Sequence, residues 1–208
     1  MEKLAYLIKN RFPVLFRLIA LVAERVTSWR YSRRAELALQ NAAVEGTVKG
    51  KTAVMHPLSE ADADLLHEFL NSVPEDHLRY FRPHGFDRAT LADVLASKAY
   101  LNYGLFVKGE LIGYALLKIT PTGSAFIGLL VQPEFLGLGL GTFITRFLYW
   151  QAAVAGLRAR STISRHNTAS LRSHQAVAEY RVVAELPNDY LLIEFPVGKP
   201  EKPTLMVR

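Results

Sequence analysis

The sequence contains no cysteine. That one absence excludes disulfides, thiolate nucleophiles and cysteine-based zinc sites together, and it suits a reducing compartment. No apolar run of membrane-spanning length occurs either. The apolar stretch at 18–23 falls far short of the roughly 20 residues that cross a bilayer. A basic body is also missing. The chain totals +6, but residues 1–41 hold +5 and residues 196–208 hold +2, which leaves 42–195 at −1. A sequence-independent nucleic-acid binder needs a positive field over its working face. Here the positive charge belongs to the ends, and no nucleic-acid partner is expected. What is present is ordinary globular material. Of the 208 residues, 50% are hydrophobic and 21% charged, enough for one buried core and too apolar for a disordered chain.

Residues 2–41 read as a basic amphipathic helical extension rich in Leu, Ala, Arg and Glu, with Pro13 breaking or kinking its first stretch. Arg17, Glu24, Arg25 and Ser28 form a narrow polar stripe on it. A basic start and the small residues Ala20 and Ala23 imitate a secretory signal. Arg17 interrupts the apolar region, however, so the segment is expected to stay on the protein. It is expected to pack on its own domain or on a second subunit; the alternative is an anchor on an anionic membrane surface. The protein is accordingly expected in the cytoplasm, peripheral at the inner membrane surface if the helix anchors it.

Residues 42–51, small, polar and Gly-containing, read as a linker. The chain then divides into a helical extension (1–45), a main domain (46–196) and a tail (197–208). A strand is expected at 51–57. Ser59 caps a helix over 60–72, with Glu60 and Asp62 in its electropositive first turn. A second short helix starts after Val73-Pro74, 80–86 is a loop by its Pro and Gly, and Asp87 caps a third helix to about Ser97. The period then changes. Runs at 100–107, 111–120 and 125–131 are rich in β-branched and aromatic residues and are separated by hairpin-length turns, which predicts an antiparallel meander. Beyond it come a helix at 142–156, a strand at 158–164, a helix at 168–177 and strands near 180–185 and 190–195.

Between the meander and the helix at 142 lies Leu136-Gly137-Leu138-Gly139-Leu140-Gly141. A Gly-rich turn between a strand and a helix start gathers unpaired backbone N–H groups at the positive end of the helix dipole, and lets a phosphate approach without a Cβ in the way. Three cofactor classes use such a turn. A nucleotide-triphosphate loop needs Gly-Lys-Ser/Thr, and here Thr142 follows Gly141 with no lysine. A dinucleotide fold needs a third glycine where Thr142 stands, a parallel βαβ unit and an acidic residue about 20 positions on. Residues 158–164 offer Arg and Ser instead, after a meander.

The run from Val131 to Gly141, Val-Gln-Pro-Glu-Phe-Leu-Gly-Leu-Gly-Leu-Gly, resembles the coenzyme A pyrophosphate loop of the GNAT acetyltransferase superfamily. The family's core order is a helix pair, an antiparallel meander, this loop and helix, then strand, helix and hairpin. The resemblance covers 50–195. It implies an α/β (α+β) fold, a mixed, mostly antiparallel central sheet flanked by helices, with an extra N-terminal helical segment. It departs at Leu136, where the family commonly has Arg or Gln, so the grip must rest on backbone donors around Leu138, Gly139, Gly141 and Thr142. Downstream, Asn167 is followed by Ser170 and His174, similar to the family's second motif of Asn, a small residue and Tyr or His. Ser170 and His174 share a helix face by their spacing of four. The family's next Gly-Phe is replaced by Ala178-Glu179-Tyr180.

What the resemblance implies for chemistry is direct attack by a neutral amine on the thioester of acetyl-CoA. A backbone N–H near Val131, at the end of the strand that also holds Leu129, polarises the carbonyl, and His174 protonates the leaving sulfur. Leu129, Val131, Leu136, Gly137, Leu138, Gly139, Gly141, Thr142, Asn167 and Ser170 are the implied cofactor contacts. No base is evident in 125–131, and Glu134 reads as a solvated loop residue. His84 is the candidate in its place. Phe81-Arg82-Pro83-His84-Gly85-Phe86 lies where the superfamily shapes its acceptor side, its aromatic and Arg side chains suit a sugar or phosphate-bearing acceptor, and it resembles segments of acetyltransferases encoded with polysaccharide pathways. Phe81, Arg82 and His84 are therefore the expected substrate contacts. His56, His67, His77 and His166 form no metal-ligand spacing, and no metal is expected. The leading reading is an N-acetyltransferase of a small-molecule primary amine, an amino sugar favoured. The alternatives are a protein N-terminal or lysine acetyltransferase and a non-catalytic acyl-CoA-binding or assembly module.

Overall fold

Strands rich in Val, Ile, Leu, Tyr and Phe dominate a computed structural model that describes residues 13–207; the predicted helical residues 2–12 lie outside it. The chain runs α1 (Pro13–Gln40), β1 (Val44–Val48), β2 (Lys51–Pro57), α2 (Ala63–Ser72), α3 (Arg88–Ala96), β3 (Tyr100–Val107), β4 (Glu110–Ile119), β5 (Ser124–Val131), α4 (Leu140–Val154), β6 (Arg158–Ser164), α5 (Thr168–Gln175), β7 (Arg181–Leu186), β8 (Tyr190–Glu194) and β9 (Leu205–Val207). Among the described residues the strands join one sheet in the order β7-β8-β6-β5-β4-β3-β2-β1-β9. Only β5–β6 and β1–β9 pair in parallel. This is the mixed, mostly antiparallel sheet expected.

The middle strands carry almost unbroken apolar runs because both of their faces are covered. Along β4, Ala115 and Leu117 enter one core with Tyr103, Phe143, Ile144, Phe147 and Leu148, under α1 and α4. Tyr114 and Leu116, alternating with them along the strand, enter a second core with Leu66, Phe69, Leu70, Leu91 and Leu95, under α2 and α3. Strand period two thus sends alternate residues to opposite helix layers. At the far edge, buried Glu194 of β8 accepts from Arg160 of β6 and Arg181 of β7, at 2.5 and 2.6 Å, tying three strands together.

Three segments differ from expectation. Residues 42–51 are not a linker. Val44–Val48 is a strand paired with β2, turned by Lys49-Gly50 with φ of 49° and 70°, the paired positive values of a type I′ hairpin. The tail is not free either, since Leu205–Val207 adds β9 beside β1. The short helix expected after Pro74 is a single 3-10 turn, His77–Tyr80.

In α1, Thr27, Tyr31, Ala35 and Ala38 are buried, one stripe at helical spacing against the domain. Glu24 accepts from Ser97 Oγ at 2.5 Å and Glu36 pairs with Lys98 at 3.5 Å. The described helix begins at Pro13, and proline suits a first turn, where an N–H has no intrahelical partner to lose. Ile19, Leu21, Val22, Val26 and Trp29 of the same helix are exposed. Among the described residues no helix is long and apolar enough to cross a membrane.

Candidate active site

The parallel pairing of β5 with β6 lasts only from Ser124↔Arg158 to Phe126↔Arg160, after which the strands part. Into the gap opens a cleft of about 660 Å³, walled by Ile127 to Val131 on one side and Ser161 to Ser164 on the other. Backbone direction in a strand alternates residue by residue. The Gln132 N–H bonds the Ile112 carbonyl on β4, and the Gly123 carbonyl accepts from Arg158 on the β6 side. Odd-numbered residues therefore turn toward β6, and beyond Phe126 no strand meets them. The N–H groups of Leu129 and Val131 face the cleft.

At the mouth of the cleft sits the glycine loop. Gly137 and Gly139 have φ of 75° and 83°, a region L side chains rarely adopt, and a Cβ at either would project into open space. Gly139 is the N-cap of α4 and no side chain caps that end. The first intrahelical bond is Phe143 N–H to Gly139 O, so the N–H groups of Leu140, Gly141 and Thr142 have no helical partner. Donors, dipole and missing Cβ atoms fit a diphosphate. Leu136, Gly137, Gly139, Gly141 and Thr142 all line the cleft. Leu138 does not; its side chain packs on the core, because the chain must turn inward to start α4. Leu136 is 54% exposed and offers no side-chain donor.

Across the cleft, Asn167 is the N-cap of α5, its Oδ1 accepting the Ser170 N–H at 3.1 Å, and both residues line the wall. His174 is 2% exposed and stacks on Phe195 at 5.6 Å. Its Nδ1 faces the Ser170 carbonyl at 2.8 Å, which can only accept, so Nδ1 carries the proton. Nε2 then accepts from the Ser161 hydroxyl at 2.8 Å. Burial pushes the imidazole pKa down to about 4, against the smaller opposing effect of the Ser170 bond. At neutral pH both nitrogens are engaged and the ring is uncharged. In this tautomer Nε2 carries no proton and the Nδ1 proton is committed to the Ser170 carbonyl, so the geometry lends no support to the expectation that His174 hands a proton to sulfur; the ring instead holds Ser161 at the cleft wall.

The expectation for His84 is corrected as well. It faces neither the cleft nor the recess beside it. Its Nδ1 donates to the Gly85 carbonyl at 2.8 Å and Nε2 lies 3.0 Å from the Tyr114 hydroxyl, which reaches Asn102 at 2.8 Å. Phe86 and Tyr114 crowd it at 6.0 and 5.9 Å. Burial is the main cause of its lowered pKa. The ring serves as packing because the loop closes over the core beneath α2 and α3. Its neighbours do reach the site: Phe81 lines both cavities, and Arg82, paired with Glu75, lines the recess.

That recess, about 380 Å³, joins the cleft through Tyr80, Phe81, Ile127, Gly128, Thr162 and Tyr190, and is further lined by Arg79, Lys118 and Phe126. One unanticipated side chain stands in the cleft itself. His77, at the start of the 3-10 turn, donates from Nε2 to the Val131 carbonyl at 2.8 Å. A carbonyl accepts only, so the tautomer is fixed and Nδ1 is left unprotonated. No spacing in the sequence connects residue 77 with residue 131.

A helix start that offers backbone donors to a diphosphate, at the mouth of a slot between two parting strands, is the apparatus of an acyl-CoA-dependent transferase. The profile described as "Acetyltransferase (GNAT) family" matches residues 63–178, more than half of the chain, and the protein belongs to that family. It is thus an N-acetyltransferase with acetyl-CoA as its cosubstrate. Solved structures agree in fold. The GNAT domain of S. lividans PAT is 16% identical with a TM-score of 0.65, over 74% of this chain and 96% of that one. Mycobacterium smegmatis RimJ, in complex with CoA-disulfide, is 18% identical with a TM-score of 0.59, over 74% and 86%. The aminoglycoside acetyltransferase AAC(6')-Ib, in complex with coenzyme A and kanamycin, is 19% identical with a TM-score of 0.54, over 69% and 94%. No curated protein matches the sequence.

Proposed function

We propose that the acetyl acceptor is the primary amine of a small molecule, an amino sugar before other amines. The observation that carries this is the recess: a walled cavity of about 380 Å³, opening on the cleft, with the rings of Tyr80, Phe81, Phe126 and Tyr190 in its lining. Its size falls within the range of small-ligand sites, about 300–1,000 Å³, and aromatic faces stack against sugar rings. That AAC(6')-Ib shares the fold and was solved with kanamycin adds support.

When bound, acetyl-CoA supplies the thioester whose carbonyl carbon the amine attacks. The chain's own groups divide the remaining work. Leu140, Gly141 and Thr142 N–H hold the diphosphate. The N–H groups of Leu129 and Val131 lie where they can donate to carbonyl oxygens laid along β5, the thioester's included. His77 accepts the amine proton at Nδ1, since Nε2–H is tied to Val131. The departing sulfur needs no adjacent acid. A thiolate with a pKa of about 8.5 leaves readily and takes its proton from water.

Free-thiol release from acetyl-CoA with a panel of small amines tests this, alongside labelled acetyl-CoA in a cell extract. Release with amino sugars is the expected result. Label entering protein N-termini or lysines, with no small amine acetylated, would overturn it in favour of the protein-acetylating reading. The exposed Leu21, Val22, Val26 and Trp29 of α1 further suit contact with a membrane surface or a second copy. Liposome flotation and sedimentation of Trp29→Glu beside the unaltered chain distinguish the two.

A further inference from the structure

Residues 42–195 sum to −1, so cations gathered at one spot are not the by-product of a basic body. Yet Arg79, Arg82 and Lys118 line the acceptor recess, and no carboxylate lines it. They arrive from separate places: Arg79 from the 3-10 turn, Arg82 from the loop after it and Lys118 from the C-terminal end of β4. Arg82 is paired with Glu75. Arg79 and Lys118 have no acidic partner among the described residues. Each lies over a ring instead, Arg79 over Tyr80 at 5.2 Å and Lys118 over Tyr100 at 5.5 Å, which holds the charge in place without neutralising it. On the cleft side the lining includes Asp76, whose Oδ1 is taken by the His77 N–H at 3.0 Å.

Resting on the small-amine reading, we infer that the natural acceptor carries an anionic group, phosphoryl or carboxylate, at the end opposite its reacting amine. The amine enters the cleft near His77 while the anion meets Arg79 and Lys118, with the ring or chain between them lying on Phe126 and Tyr190. Arginine beside a lysine is the combination that recognises such groups, the guanidinium by paired hydrogen bonds and the ammonium as a point charge. A polycationic amine meets the same pair as repulsion. The specificity of this acceptor site is therefore opposite in sign to what kanamycin, a polycation, requires.

Matched pairs of amines test this through kcat/KM in the thiol-release assay: glucosamine with glucosamine 6-phosphate, and an amino acid with its amide, with kanamycin as the polycation. The anionic member of one pair is expected to exceed the neutral one by about 10- to 100-fold at low salt, shrinking as salt approaches the 0.1 M range where the screening length falls to about 10 Å. Which pair shows the gap identifies phosphoryl or carboxylate. The double variant Arg79→Glu, Lys118→Glu should abolish or invert the ratio; circular dichroism and CoA binding check that it is folded. Equal or better turnover of the neutral amines or kanamycin, or a ratio that survives charge reversal, overturns the inference while the small-amine reading stands. Absence of turnover with every small amine, with label in protein, overturns both.

Discussion

One cleft has two arms that are built by opposite means. The cofactor arm grips with backbone: positive-φ glycines at 137 and 139, three N–H groups without helical partners at the start of α4, and side chains such as Leu136 that contribute no donor. The recess proposed for the acceptor is lined by side chains instead, cations and rings drawn from the 3-10 turn, β4, β5 and β8. The difference teaches where each arm can change. A backbone site tolerates replacement of its neighbours but not of its glycines. A side-chain site can be rewritten one residue at a time without disturbing the fold.

The severest test strikes the acceptor side. His77→Ala should lower kcat by about 10²- to 10⁴-fold, the range for losing a positioned base, with a smaller change in the KM for acetyl-CoA. His77→Gln, which keeps a donor to Val131 but no base, should be equally slow. A near-normal rate for either would remove His77 from the chemistry.

The next concerns the wall shared by both arms. His174 takes a proton at its ordinary value of 6.5 in the unfolded chain but only near 4 in the folded one. Between these pH values the unfolded state binds more protons, so stability falls as pH drops through the window, by about 3 kcal/mol in all. Urea unfolding at pH 7 and pH 4.5 should show this loss, and His174→Gln should flatten it relative to the unaltered chain. An unchanged slope would mean that the ring is not held neutral.

Gly139→Val probes the cofactor arm. It forces a β-branched residue to a φ of 83° and fills the open space before α4, so acetyl-CoA affinity should fall by about 10- to 100-fold, through backbone strain of about 1–2 kcal/mol and the blocked approach. Calorimetric titration with CoA measures it. Leu136→Arg should do least. A cation added at an exposed position beside the same donors should tighten CoA by about two- to fivefold, as surface charge pairs contribute about 1 kcal/mol or less. A larger gain would show that the backbone alone does not dominate this arm.

Much of the fold was legible because its signals are local. The meander showed in runs of β-branched and aromatic residues separated by hairpin-length turns, and Asp87 did cap its helix, accepting from Thr90. Strand β1 hid behind Gly46 and Glu45. The glycine is there because the β9 backbone runs so close that a Cβ would lie 1.8 Å from the Leu205 carbonyl oxygen, and residue 205 is remote in sequence. The same division runs through the site. The glycine loop declared itself, whereas His84 and His174 drew attention as histidines in suggestive places, and the fold packs the first against Phe86 and Tyr114 and the second against Phe195.

The sequence by itself determined the cofactor arm, because a diphosphate cradle is made of consecutive backbone groups and glycine is the mark such a conformation leaves. The tertiary structure alone decided which histidines reach the cleft and which charges line the recess beside it. Burial and hydrogen-bonding, which set whether an imidazole is a base or a spacer, depend on neighbours. His77 is fixed by Val131, His174 by Ser161 and Ser170, and the cations of the recess by strands and turns that the chain brings together only on folding.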